Sequence, residues 1–175
     1  MVRSLFEHGS VIWAPTNLSY VNNFEALQKR CIKWILNEQF ISYDYDLYIS
    51  KLKDLDILPM QYKFVLADLI VFHKIVHHAL PISLPDYLVP RRPTRQLPYH
   101  HLNFAVSDDF SNLKSCLKNS FFVRNLSIWN LIPISTKETP NFNKFRDDLE
   151  ILLWTRILQV QRESLNDVEI SPEPD

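Results

Sequence analysis

The chain has 175 residues, of which 46% are hydrophobic and 13% aromatic, so it suits one domain with a real core and excludes wholesale disorder. Residues 163–175 hold acidic side chains and no Lys or Arg, which leaves 19 basic against 15 acidic side chains, about +4, in residues 1–162. That charge is lower than a dedicated nucleic-acid binder usually carries, and a single glycine excludes a Gly-rich phosphate loop and disfavours tight hairpins.

The first half of the chain predicts three amphipathic helices. We expect them over residues 19–37, with Ser19 as the cap, over 46–55, and over 59–79, with Pro59 at the start. Apolar positions that step by three or four mark the faces expected to be buried: Val21, Phe24, Leu27, Cys31, Trp34 and Ile35, then Leu47, Tyr48, Leu52 and Leu55, then Tyr62, Val65, Leu66, Leu69, Phe72, Ile75 and Val76.

Prolines make residues 81–109 the least regular stretch, with one short strand expected near Leu102–Val106. Helices resume over 112–131 with a break near Asn119–Ser120. The last helix has Thr139 as its expected N-cap and Pro140 at its first position. Its predicted buried stripe is Phe142, Phe145, Leu149, Leu152, Leu153, Ile157 and Val160. The predicted fold class is all-α, a single multi-helix domain over 1–162 with a long irregular Pro-rich connection and a disordered acidic C-terminal tail, 163–175.

Four blocks of sequence carry a resemblance. The first block, residues 2–15, reads Val-Arg-Ser-Leu-Phe-Glu-His-Gly-Ser-Val-Ile-Trp-Ala-Pro, and the second, residues 24–36, reads Phe-Glu-Ala-Leu-Gln-Lys-Arg-Cys-Ile-Lys-Trp-Ile-Leu. The third block, residues 62–75, includes Ala-Asp-Leu. The fourth block, residues 119–133, includes Asn-Ser, an Arg four residues after that Ser, and Trp-Asn. In this order, and with Phe142 and Phe145, they resemble the C-terminal (thumb and post-palm) region of a jockey-type non-LTR retrotransposon reverse transcriptase, over about residues 2–155. The chain begins inside the resembled segment, which suggests a truncated or separated reading frame.

The resemblance implies a non-catalytic piece of an RNA-directed DNA polymerase that grips an RNA–DNA duplex weakly through its phosphates, independently of sequence. The missing palm and fingers are a second expected partner. The candidate nucleic-acid-binding residues are Lys29, Arg30 and Lys33, which lie off the apolar face of the first helix, and Arg91, Arg92 and Arg95 in the Pro-rich stretch. A solvated helix face remains the alternative for this charge. Residues 61–63 depart from the Arg-Arg pair usual in the family.

The alternative function is a helical protein-interaction module, domesticated or remnant, without a nucleic-acid role. An enzyme is not expected, because the palm aspartates and the endonuclease of the family are absent. The pair Asp108–Asp109 only superficially resembles a catalytic turn, and a turn or helix cap is the ordinary interpretation.

No metal site or cofactor is expected. His73 and His77 have the i, i+4 spacing of helical metal ligands, but surface histidines at a helix C-terminus are the preferred interpretation. Cys31 and Cys116 are expected to be reduced, buried thiols. With no signal peptide or membrane span in the sequence, we expect an intracellular protein, in the nucleus or the cytoplasm.

Overall fold

The computed structural model describes residues 9–13, 18–38, 44–92, 100–113 and 120–169. Most of these residues are helical, which confirms the predicted all-α class. The chain forms two compact units where the sequence predicted one domain. Unit 1 comprises Met1–Thr16 and Phe64–Leu149, and unit 2 comprises Asn17–Lys63 and Glu150–Asp175.

The helices follow the predicted order with small differences at their ends. In chain order they are α1 (Ser10–Trp13), α2 (Leu18–Ile35), α3 (Tyr45–Asp54), α4 (Met60–Val76), a 3-10 helix (Asp108–Leu113), α5 (Phe121–Leu131), α6 (Ile134–Lys137) and α7 (Phe142–Glu169). Helix α7 continues past the predicted boundary at residue 162, so residues 163–169, which were predicted to be disordered, are helical. Residues 170–175 of the predicted tail lie outside the described residues. The side chain of Val160, a member of the predicted buried stripe, is not described either.

Unit 1 has an aromatic core. Phe72 of α4, Trp129 of α5 and Phe145 of α7 are all fully buried. The Phe72 and Trp129 ring centroids lie 4.7 Å apart, and those of Trp129 and Phe145 lie 6.2 Å apart. Together with Trp34, these three residues were predicted to be buried in one aromatic core; the structure confirms this for Phe72, Trp129 and Phe145 and contradicts it for Trp34, which is 72% exposed.

Two short strands lie between the helices of unit 1. The predicted strand near Leu102–Val106 is present as β2 (Phe104–Val106), and it pairs antiparallel with β1 (Leu88–Pro90), which the sequence did not reveal. Asp108 and Asp109 follow β2 and open the 3-10 helix, where the Asp109 amide donates to Ser107 Oγ at 3.4 Å. The acidic pair therefore lies exposed in the first turn of this helix, in agreement with the turn interpretation, while Ser107 and not the pair supplies the capping acceptor.

Unit 2 has a core of its own, built on α3. Asp44 caps α3 by accepting a 2.8 Å hydrogen bond from the Leu47 amide. Within the unit, the buried apolar side chains are Ile32, Tyr48, Ile49, Leu52, Leu58, Met60, Leu153 and Ile157. Leu47, predicted to point inward, is 37% exposed, because the inward positions are Tyr48, Ile49 and Leu52.

The predicted buried face of α2 is wrong. Leu27, Trp34 and Ile35 are 43%, 72% and 63% exposed, and Cys31, predicted to be a buried thiol, is also exposed. The buried residue is Ile32, which lies about 100° around the helix from Cys31. Cys116 lies outside the described residues.

The predicted cap of α7 is also wrong. Asn141 Oδ1 accepts from the amides of Asn143 and Lys144, at 3.0 and 3.3 Å, which is the role of an N-cap. Thr139 instead donates its hydroxyl to the Ser135 carbonyl at 3.1 Å, and Phe142 is half exposed at the start of the helix.

Three helices end at a non-glycine residue with positive φ. Asn37, Asp56 and His78 have φ of 56°, 52° and 56°. After each, the next amide donates to a carbonyl five residues earlier: Glu38 to Lys33, Ile57 to Leu52, and Ala79 to Lys74. This is the Schellman arrangement, which usually uses glycine. A chain with one glycine thus accepts a backbone cost at three helix ends.

Candidate functional site

A polar cluster in unit 1 joins α4 to α5. Arg124 Nε lies 2.9 Å from Asp68 Oδ2, and Arg124 Nη2 lies 3.0 Å from Asp68 Oδ1. Asn125 donates to Asp68 Oδ2 at 3.0 Å, and Arg124 Nη2 also donates to the Val11 carbonyl at 2.8 Å. One guanidinium therefore holds α1, α4 and α5 together.

The charge of this cluster is internally balanced. Burial raises the pKa of the Asp68 carboxyl, while the Asn125 hydrogen bond and the Arg124 charge act in the opposite direction. Because the guanidinium is paired on both sides, the cluster is suited to fixing helices rather than to binding a substrate.

A second polar cluster surrounds a fully buried lysine. Lys137 Nζ donates to Asn103 Oδ1 at 2.6 Å and to the Asn130 carbonyl at 3.3 Å, and lies 5.7 Å from the centroid of the Trp129 ring. Burial lowers the pKa of Lys137 to about 8. Nothing in the sequence distinguishes Lys137, because a lysine in a short polar helix resembles any surface lysine.

Trp129 and Asn130 fix the segment around β2 to α5. The Trp129 indole N–H donates to the Leu102 carbonyl at 2.7 Å. Asn130 accepts from the Phe104 amide at 3.1 Å and donates to the Phe104 carbonyl at 2.9 Å. The Trp-Asn pair of the sequence block thus has a packing role in this fold.

The surface interpretation of the histidines is wrong for His73, which is 1% exposed. Its Nε2 lies 2.8 Å from the Thr139 carbonyl, and His77 Nε2 lies 2.7 Å from the Lys137 carbonyl, so both nitrogens act as donors. The His73 ring stacks on Phe145 with centroids 3.9 Å apart. Burial and the neighbouring His77 lower the pKa of His73 to about 4.

His73 Nδ1 has no hydrogen-bond partner. Since Nε2 carries the proton, Nδ1 is a bare acceptor, and a second proton there would be buried without a partner. Within the described residues, no group of three or more His, Cys, Asp or Glu side chains could hold a metal ion. His78 is exposed, as predicted, and ends α4.

The basic residues of α2 do not form one open row. Lys29 is half-buried, with Nζ 4.8 Å from the centroid of the Tyr48 ring, and Lys33 is half-buried as well. Arg30 is exposed. Lys29, predicted on the outer side of the helix, therefore lies only partly there, because its ammonium group is over an aromatic ring.

The acidic residue of α2 is turned inward. Glu25 accepts from the Tyr48 hydroxyl at 2.7 Å and from the Met60 amide at 2.8 Å. Burial raises the pKa of Glu25, and burial together with the Glu25 charge raises the pKa of Tyr48. Since α2 contains no other Asp or Glu, its outward charge is positive.

The predicted cationic segment of the Pro-rich stretch is described only in part. Arg91 is half-buried, and its amide donates to the Asn103 carbonyl at 2.7 Å; Arg92 is exposed. Arg95 lies outside the described residues. The structure assigns Arg91 and Arg92 to unit 1 and the α2 residues to unit 2.

The exposed apolar residues of α2 form a stripe. We call the set Tyr20, Leu27, Cys31, Trp34 and Ile35 the α2 stripe; each member is exposed, with Tyr20 at 59%. Successive members are seven, four, three and one residues apart, which places all five within an arc of about 100° on one side of the helix. Arg30 precedes Trp34 by four residues and so lies beside the stripe.

No protein-family model, curated protein sequence or solved structure matches the chain. Among the described helices, none combines the length and the apolar character needed to cross a membrane.

Proposed function

We propose that the chain is a non-catalytic helical region of the kind that follows the palm in non-LTR retrotransposon reverse transcriptases, and that it binds an RNA–DNA duplex weakly through phosphates. The proposal rests on the resemblance of the sequence blocks. One observation supports it: residues from three of those blocks are joined by hydrogen bonds. Arg124, from the last block, reaches Asp68 in the third and the Val11 carbonyl in the first. Residues from blocks that are far apart in the sequence thus contribute to a single set of hydrogen bonds that joins three helices.

Arg30 and Arg92 are the residues we assign to phosphate contact. Both are exposed, and α2 presents no acidic side chain outward beside Arg30. Lys29, Lys33 and Arg91 add positive charge but are partly buried. Contacts of this number support weak binding that does not depend on sequence.

The test is the salt dependence of binding to a labelled RNA–DNA hybrid, measured by fluorescence anisotropy with two unrelated hybrid sequences. Each arginine replaced by alanine, Arg30 or Arg92, is expected to lower the slope of log affinity against log salt by roughly 0.9. Arg146→Ala, on the exposed side of α7, is the matched control. An unchanged slope in both variants would refute the assignment.

Catalysis is tested on the same protein. We expect no nucleotide incorporation on a primed template with Mg²⁺ or Mn²⁺. Incorporation that Asp109→Ala abolishes would instead make this chain a polymerase in its own right.

A second candidate function is favoured by the α2 stripe: a helical module that docks to another protein. Tyr, Trp and Arg are the residues that most often dominate binding at protein interfaces, and Tyr20, Trp34 and Arg30 lie exposed on the same helix. This function needs no nucleic acid, so failure of hybrid binding leaves it standing.

A further inference from the structure

The apolar arc of α2 is wider than the surface that packs in unit 2. Ile32 is buried, and Gln28 on the same side donates to the Leu58 carbonyl at 3.1 Å. The nearest member of the α2 stripe, Ile35, lies about 60° around the helix from Ile32, and Cys31 lies about 100° around it. A helix that packs on one neighbour needs an apolar arc of about 100°. The second half of the arc is therefore available to a second neighbour.

The stripe has the dimensions of a helix-packing surface. From Tyr20 to Ile35 it extends for about 22 Å, at 1.5 Å per residue. Its members Leu27, Cys31 and Ile35 are aliphatic or small and follow one another at i, i+4 and i+8. Aliphatic side chains at this spacing interlock with the ridges of another helix, whereas stacking of nucleic-acid bases requires successive aromatic rings.

The charge beside the stripe indicates the kind of helix that fits. Arg30 is exposed beside Trp34, and Glu25, the acidic residue of α2, is hydrogen-bonded inward to Tyr48. A second copy of α2 would bring like charges together and supply no carboxylate for Arg30. An acidic residue on the partner would pair with it, which favours the encounter and fixes the register.

We propose that the α2 stripe docks an amphipathic helix of a partner protein whose apolar face is bordered by acidic residues. Trp34, near the C-terminal end of the stripe, is the main anchor, and Arg30 sets the preference for acid. The inference rests on the second candidate function and specifies its partner.

The test uses two fluorescently labelled helical peptides of 18 residues with the same leucine stripe. Glutamates border the stripe in one peptide and lysines border it in the other, and binding to the full chain is followed by anisotropy at low salt. We expect the glutamate peptide to bind at least tenfold more tightly than the lysine peptide. Trp34→Ala is expected to lose at least tenfold in affinity for the glutamate peptide.

Two variants make the result specific. Arg30→Ala should reduce the difference in affinity between the glutamate and the lysine peptide, while both peptides still bind. Leu131→Ala removes an exposed leucine of α5, 75% exposed, and should change nothing. Thermal melts check that Trp34→Ala remains folded, as expected for an exposed side chain.

Four outcomes would overturn the proposal. Equal affinity for the two peptides would rule out an acid-bordered helix as the partner. Binding that Trp34→Ala leaves unchanged would rule it out as well. Concentration-dependent dimerisation in sedimentation experiments that Trp34→Ala abolishes would make a second copy the occupant. Binding of a single-stranded oligonucleotide that Trp34→Ala abolishes would make the stripe a base-stacking surface. Loss of hybrid binding in Arg92→Ala with peptide binding intact would separate this inference from the duplex proposal.

Discussion

Arg124 meets Asp68 with two parallel donors, Nε to Oδ2 at 2.9 Å and Nη2 to Oδ1 at 3.0 Å, and the carboxylate side chain is 7% exposed. Bidentate geometry makes the pair a strong one. A buried pair of this kind contributes little net stability when compared with apolar residues, but the loss of one partner is costly, because the other charge remains buried.

Arg124→Ala is expected to lower the free energy of unfolding by about 3–5 kcal/mol. Replacing both partners, as Asp68→Asn with Arg124→Met, should recover part of this loss, because no charge is then left buried. Urea denaturation measures both, with Arg146→Ala as the surface control expected within about 0.5 kcal/mol of wild type. A loss below 1 kcal/mol in Arg124→Ala would show that the pair does not fix the helices.

We expect Trp129→Ala to lower the free energy of unfolding far more than Trp34→Ala. Trp129→Ala leaves a cavity among Phe72 and Phe145 and an unpaired Leu102 carbonyl, so we expect a loss of about 3–5 kcal/mol. Trp34→Ala, at a 72% exposed position, should cost less than about 0.5 kcal/mol. The free energies of unfolding of both variants are measured in the same denaturation series. Similar losses in the two variants would mean that Trp34 is packed in a core.

His73 should make stability fall in mild acid. Its pKa is about 4 in the folded protein and about 6.5 when unfolded, so below 6.5 the unfolded chain binds a proton that the folded chain does not. Between pH 6.5 and 4 this should remove about 3 kcal/mol. The free energy of unfolding of His73→Gln should depend less on pH over that range; an identical slope in the two proteins would contradict the assignment.

Lys137 should make stability change with pH in the same direction as His73, but on the alkaline side. With a folded pKa of about 8 against 10.5 unfolded, the unfolded chain holds the proton longer, so stability rises as pH increases through this interval. The gain relative to Lys137→Met should reach about 3 kcal/mol by pH 10.5. Tyr48, whose pKa is also raised, is present in both proteins, so its contribution to the pH dependence of stability cancels in the comparison.

The left-handed helix ends offer stabilising substitutions. Asp56→Gly and His78→Gly should each raise the free energy of unfolding by about 1 kcal/mol, because glycine adopts positive φ without a steric cost. Lys53→Gly, inside α3, is the control and should be destabilising by about the same amount. Thermal denaturation distinguishes the two directions.

The sequence predicted the existence of the helices well, because their apolar spacing is a local property. It could not show which half of the α2 arc packs: the buried side is marked by Glu25 and Gln28, whose polar side chains bond to Met60 and Leu58 across unit 2. The same limit applies to His73. Its partners, Thr139 and Phe145, lie more than sixty residues away, so spacing within α4 could not indicate burial.

Asn130 binds both the amide and the carbonyl of Phe104, on the side of β2 that faces away from β1. The bonds of Arg91 to Asn103 and of Ser107 to Tyr87 fix that direction, since hydrogen-bonded pairs alternate along an antiparallel ladder. A side-chain amide thus occupies the place of a third strand. Edge strands with open backbone groups recruit other chains, and Asn130 closes this edge without adding a strand. Its loss would expose the backbone groups of Phe104 as a template for aggregation, in a protein whose described residues are mostly helical.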